Sequence, residues 1–325
     1  MAQGVTSTGR ACLVAGLAGL LAGACTDSSP APEPTTPATE FHQDIGVAVD
    51  LADYPRYEGT DLYLLAGPDV RTLDVYLVGF DREVERLTRS VPDLGVSFMS
   101  ASGSLVVMAD AATGRDELTV LDGTARRPLP GEPPGSRGFS PTLSPDGLLV
   151  YARLRPAGDT ADDATPFELV TRDGVDGDPT VQLRSEGPVA GVWGPDGTIV
   201  VRSHPGRADP EAAVEVMLLD PETGETTLLE PELDQAATLV SHPAARQVVI
   251  GDPAGGEAGL LDVRTGEWTP LPSGWTGLCF DPYGERLLVG RGGDLALLDP
   301  AEPDGPTLIG ETHGGSVGRC SWVAG

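Results

Sequence analysis

The residues of this chain whose types and spacing suit chemistry are few and scattered. Gly314-Gly315-Ser316-Val317-Gly318 fits the Gly-x-Ser-x-Gly pattern of a nucleophile elbow. That elbow needs a strand–turn–helix setting and a histidine further along the chain. Only seven residues follow Gly318, none of them histidine, and they read as a strand. The match is one of chance. The four histidines, His42, His204, His242 and His313, show no metal-ligand spacing. Asp159, Asp162 and Asp163 share one loop, and Asp173, Asp176 and Asp178 the next turn. Calcium takes its six to eight oxygens from such loops, but the EF-hand order is absent, and 49 acidic residues make loop clusters commonplace. The expectation is no catalytic residue, no metal and no cofactor.

Arginines remain. Arg71, Arg115, Arg153, Arg155, Arg202, Arg207 and Arg291 fall in loops expected on one face, with Trp275 close by. Arginine and tryptophan dominate the energetics of interfaces, so Arg153, Arg202, Arg291 and Trp275 are candidate contacts for a protein or peptide. Asp69, Asp110, Asp116, Asp209 and Asp294 occupy the same loops. Pairing among neighbours is therefore the competing account.

These side chains are positioned by a repeat. An apolar run closing on Leu-Asp or a near variant ends at Asp81, Asp122, Asp173, Asp220, Asp262 and Asp299. A second phrase, an apolar strand entering a tight turn, precedes each of the last five, most fully as Thr142-Leu143-Ser144-Pro145-Asp146-Gly147. Proline sets φ at the first turn position and glycine accepts positive φ, so Pro-Asp-Gly between apolar runs closes a hairpin. In Asp220-Pro221-Glu222-Thr223-Gly224 and Asp262-Val263-Arg264-Thr265-Gly266 the aspartate is suited to cap its own turn. A repeat of roughly 40–50 residues built from short strands predicts propeller blades. Five copies are complete. Residues 317–322 read as the innermost strand of a sixth blade, whose other strands are residues 62–66, 73–80 and 84–88. The fold class expected is all-β: a six-bladed β-propeller of four-stranded antiparallel blades, its ring closed by the C-terminal strand joining N-terminal strands.

The Ser144-Pro145-Asp146-Gly147 phrase, repeated in register over residues 62–325, resembles the TolB-like propeller repeat. That resemblance implies the architecture and leaves function open, because this scaffold hosts many jobs. On the expected inner strands, Cys279 and Cys320 sit in neighbouring blades, each five residues before a glycine. They form either a disulfide across the closing seam or two buried thiols.

The N-terminus gives an address. Residues 11–24 are apolar but too short for a mature membrane span, and they run into Leu21-Ala22-Gly23-Ala24-Cys25. This resembles a bacterial lipoprotein signal, which implies cleavage after residue 24 and acylation of Cys25. Residues 25–44 then form a Pro/Thr-rich tether without large apolar side chains until Phe41, and residues 45–325 the propeller. All 21 basic residues are arginine, and neither lysine nor asparagine occurs. A GC-rich genome, such as an actinobacterial one, accounts for this. The formal net charge of −28 excludes nucleic acid as a partner, since phosphate neutralisation needs a basic surface. The functional expectation is a non-enzymatic, monomeric protein- or peptide-binding module, held on the outer face of the cell membrane by its acyl anchor. The alternatives are a metal-dependent lactonase- or cyclase-like enzyme at the channel mouth and a cell-wall glycan binder. Five expected inner strands carry no charge, which disfavours the first; four tryptophans and six tyrosines make a thin stacking platform for the second.

Overall fold

The computed structural model describes residues 46–324 except 69–71, 82, 90–95, 111–116, 124, 157–165, 205–213, 230–237, 252–257 and 314. The signal, the tether and Cys25 therefore lie outside the described residues, as do Arg71, Arg115, Arg207, His42 and the aspartates of the 157–165 loop.

Among the described residues the regular structure is almost wholly strand. It opens with β1 (Val47–Val49), then β2 (Thr60–Gly67), β3 (Asp74–Gly79) and β4 (Val84–Arg86). Blade 2 is β5 (Val96–Ser102), β6 (Leu105–Asp110), β7 (Glu117–Asp122) and β8 (Ala125–Pro128). Blade 3 is β9 (Arg137–Leu143), β10 (Leu149–Leu154), β11 (Phe167–Arg172) and β12 (Thr180–Ser185). Blade 4 is β13 (Val189–Trp193), β14 (Ile199–Ser203), β15 (Glu215–Leu219) and β16 (Thr226–Leu229). Blade 5 is β17 (Thr238–Val240), β18 (Gln247–Gly251), β19 (Ala258–Asp262) and β20 (Trp268–Pro270). Blade 6 is β21 (Thr276–Phe280), β22 (Leu287–Arg291), β23 (Asp294–Asp299) and β24 (Glu302–Thr312). The last strand, β25 (Ser316–Ala324), pairs with β2 and completes blade 1 in the order β25-β2-β3-β4. Every pairing is antiparallel, and the protein is a six-bladed β-propeller.

Polarity grades from axis to rim. All five residues of β13 are buried, whereas the outermost β8 is exposed throughout. Inner strands are covered on both faces by neighbouring blades, so apolar residues run on without alternation. The turns behave as their sequences require. Asp220 Oδ1 accepts from the amides of Glu222 and Thr223 at 2.8 and 3.2 Å, and Asp262 Oδ1 from Arg264 and Thr265 at 2.9 Å each. Gly224 and Gly266 hold the left-handed φ that follows. Gly284 needs its lack of a side chain for another reason too, since a Cβ there would meet the backbone nitrogen of Ala245 in blade 5 at 2.6 Å.

The seam between blades 6 and 1 is tied four ways. β25 pairs with β2 from Thr60↔Ala324 to Gly67↔Ser316. β1 adds a fifth strand to blade 6 by pairing with β24, a role the sequence reading had not given to residues 47–49. Cys279 and Cys320 are joined as a disulfide, with Cα atoms 5.3 Å apart. Tyr57, fully buried in the short helical turn Pro55–Tyr57, donates to the buried Asp281 of blade 6 at 3.1 Å and lies 4.7 Å from the Trp322 ring. No helix of the described residues is long and apolar enough to cross a membrane.

Candidate functional site

The ring has two unlike faces. The entry face is the one at which second strands end and inner strands begin; Gly46 arrives there, its carbonyl accepting from the His313 amide at 2.9 Å. The opposite face carries the hairpin turns at residues 103–104, 145–147, 195–197, 243–245 and 282–284.

The arginine candidates all come from entry-face ends of strands, but they do not make one surface. Arg153 is buried. Its Nε and one terminal nitrogen donate to Glu168 Oε2 at 2.9 and 2.6 Å, and its other terminal nitrogen lies 3.4 Å from Glu132. Burial alone would lower its pKa, but the Glu168 hydrogen bonds and the charges of both glutamates outweigh this and raise it. Arg155 and Arg184 approach Glu168 at 4.0 and 3.3 Å. Arg172 donates to Glu132 and, at 3.1 Å, to the Tyr151 hydroxyl. Burial, together with Glu132, pushes the Tyr151 phenol well above its usual range. The expectation that Arg153 meets a partner is thus corrected: it is buried, and all three of its guanidinium nitrogens are engaged by Glu168 and Glu132.

Arg291 and Trp275 do come together, with the guanidinium 4.5 Å from the ring centroid. Trp275 is buried, however, and Arg291 also faces Asp294 at 3.5 Å. The tryptophan is a core residue capped by an arginine, which corrects its reading as a contact for a protein or peptide. Arg202 is also largely enclosed, and desolvation lowers its pKa. Ser316 opens β25 opposite Gly67, so no elbow forms there. His313 stands 3.3 Å from Glu311, and Asp176 pairs with Arg127 at 3.0 Å. Among the described residues no three His, Cys, Asp or Glu side chains converge as metal ligands would.

Openings occur on both faces: on the entry face one of about 170 Å³ lies between Glu117, Pro128 and the 132–136 connection, and two more lie on the hairpin-turn face. A cavity of about 200 Å³ runs up the axis and takes residues from all six innermost strands, β5, β9, β13, β17, β21 and β25. Beside it a groove of about 660 Å³ crosses blades 3 and 4, edged by Asp146, Asp173, Asp196, Asp220 and Glu222 with Trp193 at its inner end. Amides of Glu222 and Thr223 hold Asp220 below the usual carboxylate range. At Asp262, burial opposes ionisation but the Thr265 and Arg264 amides prevail.

One charged residue of the axis escaped the sequence reading. Arg319 belongs to the closing strand, whereas the expectation of uncharged inner strands rests on the other five. Its guanidinium lies 5.1 Å from the Phe98 ring centroid, and burial, with a smaller push from Arg202, brings its pKa down to about 10.

No protein-family model and no curated protein matches the sequence. Among solved structures, TolB from Acinetobacter baumannii aligns with a TM-score of 0.60 at 14% identity, over 82% of this chain and 67% of that one. A chain of a nidogen/laminin complex aligns at 0.58 and 11% identity, over 81% and 98% respectively. The likeness is one of fold. It places the blades in the same class of ring as TolB and leaves chemistry to the residues present here.

Proposed function

We propose that this protein is an extracytoplasmic, lipid-anchored propeller that binds a protein or peptide partner at the bacterial cell surface without catalysis. The observation that carries the reading is the opposition of the two faces. The described chain enters at the rim of one face, and the axial cavity and the acidic groove open on the other. In this reading Cys25 carries the acyl anchor, and the hairpin-turn face, with the axial cavity and the acidic groove, is the docking face. The carboxylates along the groove suit a partner presenting basic side chains. The likeness to TolB and to a chain of the nidogen/laminin complex supports a binding scaffold by analogy of fold.

In-cell crosslinking of the full-length protein, followed by identification of what is captured, tests this. Reversing groove charge by Asp146→Lys, Asp196→Lys and Glu222→Lys together should abolish the captured set, while Arg291→Glu on the entry face leaves it intact. An unchanged set in the triple variant would refute the docking face. Cys25→Ser should release the protein from membranes on fractionation; retention would refute the anchor.

A further inference from the structure

The axial cavity and the acidic groove adjoin one another. Pro145, Trp193 and Pro243 line both. They come from the first hairpin turn of blade 3, the innermost strand of blade 4 and the first hairpin turn of blade 5. Trp193 Nε1 donates to the Leu148 carbonyl at 2.9 Å, so the polar atom of this shared indole is satisfied within the fold.

The two halves differ in chemistry. No aspartate or glutamate lines the axial cavity; Leu143, Val192, Leu239, Leu278, Phe280 and Val323 do, and all six are buried. The groove combines Pro145, Leu148, Pro221 and Pro243 with the carboxylates of Asp146, Asp173, Asp196, Asp220 and Glu222. Among the described residues none of these five carboxylates has an arginine within ion-pairing distance. The one cation in the lining, Arg172, is buried and bonded to Glu132 and Tyr151. Elsewhere in the ring carboxylates are matched: Asp176 with Arg127, Glu168 with Arg153, Asp294 with Arg291.

Topology sets the spacing of the unmatched charges. Asp146 and Asp196 lie in the turns joining first to second strands of blades 3 and 4. Asp173, Asp220 and Glu222 lie in the turns joining third to fourth strands. Two strand spacings separate such turns, so the outer row stands about 10 Å further from the axis. An extended chain rises about 3.3 Å per residue and covers that interval in about three residues. The inner row is at the rim of the axial cavity, since Asp146 directly follows Pro145 of its lining.

We propose that this opening receives an extended segment of a partner protein, with one large apolar side chain in the axial cavity and two basic side chains, three residues apart, over the two rows of carboxylates. The inference rests on the docking face proposed above and adds the partner's chemistry to it. Apolar burial supplies affinity, and the carboxylates select charge and register. Salt screens the second contribution and spares the first.

Titration of the full-length protein with acetyl-Phe-Gly-Lys-Gly-Gly-Lys-amide, and with acetyl-Lys-Gly-Gly-Lys-Gly-Phe-amide for the opposite chain direction, tests this. Calorimetry and tryptophan fluorescence follow binding, because Trp193 lines both halves. Saturable binding of one of the two peptides is expected. Exchanging its Phe for Ala should weaken binding about tenfold or more, and Asp146→Asn/Asp196→Asn in the protein should weaken it about fivefold. Binding of neither peptide, equal binding of versions carrying Glu in place of Lys, or binding undiminished by either change overturns the proposal. If neither peptide binds while Asp146→Lys, Asp196→Lys and Glu222→Lys together still abolish crosslinked capture, this mode falls and the docking face stands. Thermal unfolding confirms that Asp146→Asn/Asp196→Asn is folded. The exchange of Phe for Ala lies in the peptide, so the anchor is tested whatever that variant does.

Discussion

Arg153 and Glu168 sit opposite one another on β10 and β11, and the arginine places two nitrogens on a single glutamate oxygen at 2.9 and 2.6 Å. Removing one member of a buried pair leaves the other charge uncompensated, at about 3–5 kcal/mol. Arg155 and Arg184 stay near Glu168, so Arg153→Met should fall toward the lower end. Urea unfolding should show a loss of about 3 kcal/mol, largely recovered in Arg153→Met/Glu168→Leu. A loss under about 0.5 kcal/mol, the level of ordinary surface changes, would mean that Arg153 is a surface residue after all.

The disulfide spans a sequence separation of 41 residues. Chain-entropy arguments give about 4 kcal/mol for a loop of that size. Cys279→Ser/Cys320→Ser should therefore lower the thermal midpoint, and added reductant should leave the double variant's midpoint unmoved while lowering that of the parent.

Tyr57 ties the N-terminal segment to Asp281. Burial, reinforced by Asp281, pushes the Tyr57 phenol well above its usual range, so this contact persists through mildly alkaline conditions. Asp281 also accepts from the amides of Tyr283 and Glu285. Tyr57→Phe should then cost about 1 kcal/mol, the worth of one hydrogen bond. Tyr57→Ala should cost about 3–5 kcal/mol through the cavity it leaves. Equal costs for the two variants would remove the packing role.

Stability should fall in two stages on acidification. His242 is lowered below its ordinary 6.5 by burial, only partly offset by Asp281. A depressed folded pKa means that the unfolded chain binds the proton first. The contribution of His242 is thus complete above about 6.5 and lost as pH falls from there toward the folded value. Asp220 and Asp262 are depressed as well, by turn amides outweighing burial at Asp262, and their contribution goes below about pH 4. Denaturant midpoints measured from pH 8 to 3 should show both stages, and His242→Gln should erase the first.

Most of the scaffold was legible in the sequence because propeller strands are short, apolar and punctuated. The Leu-Asp runs at residues 117–122 and 294–299 coincide with β7 and β23, and Pro-Asp-Gly turns fall between first and second strands as their φ preferences demand. β1 was not legible: three residues carry no periodicity, and their partner β24 lies at the far end of the chain. Arg153 and Trp275 were misread because burial depends on which loops and strands pack over them, which loop position does not reveal. Arg319 was missed for a related reason. Its place on the axis comes from a bulge of one residue, and a bulge leaves no mark in an apolar pattern.

The closing strand ends where the axial cavity opens, for Val323 is part of its lining. One strand thus serves both as the ring's closure against β2 and as a wall of the cavity, so a change that loosens the pairing of β25 would reshape the cavity at the same time.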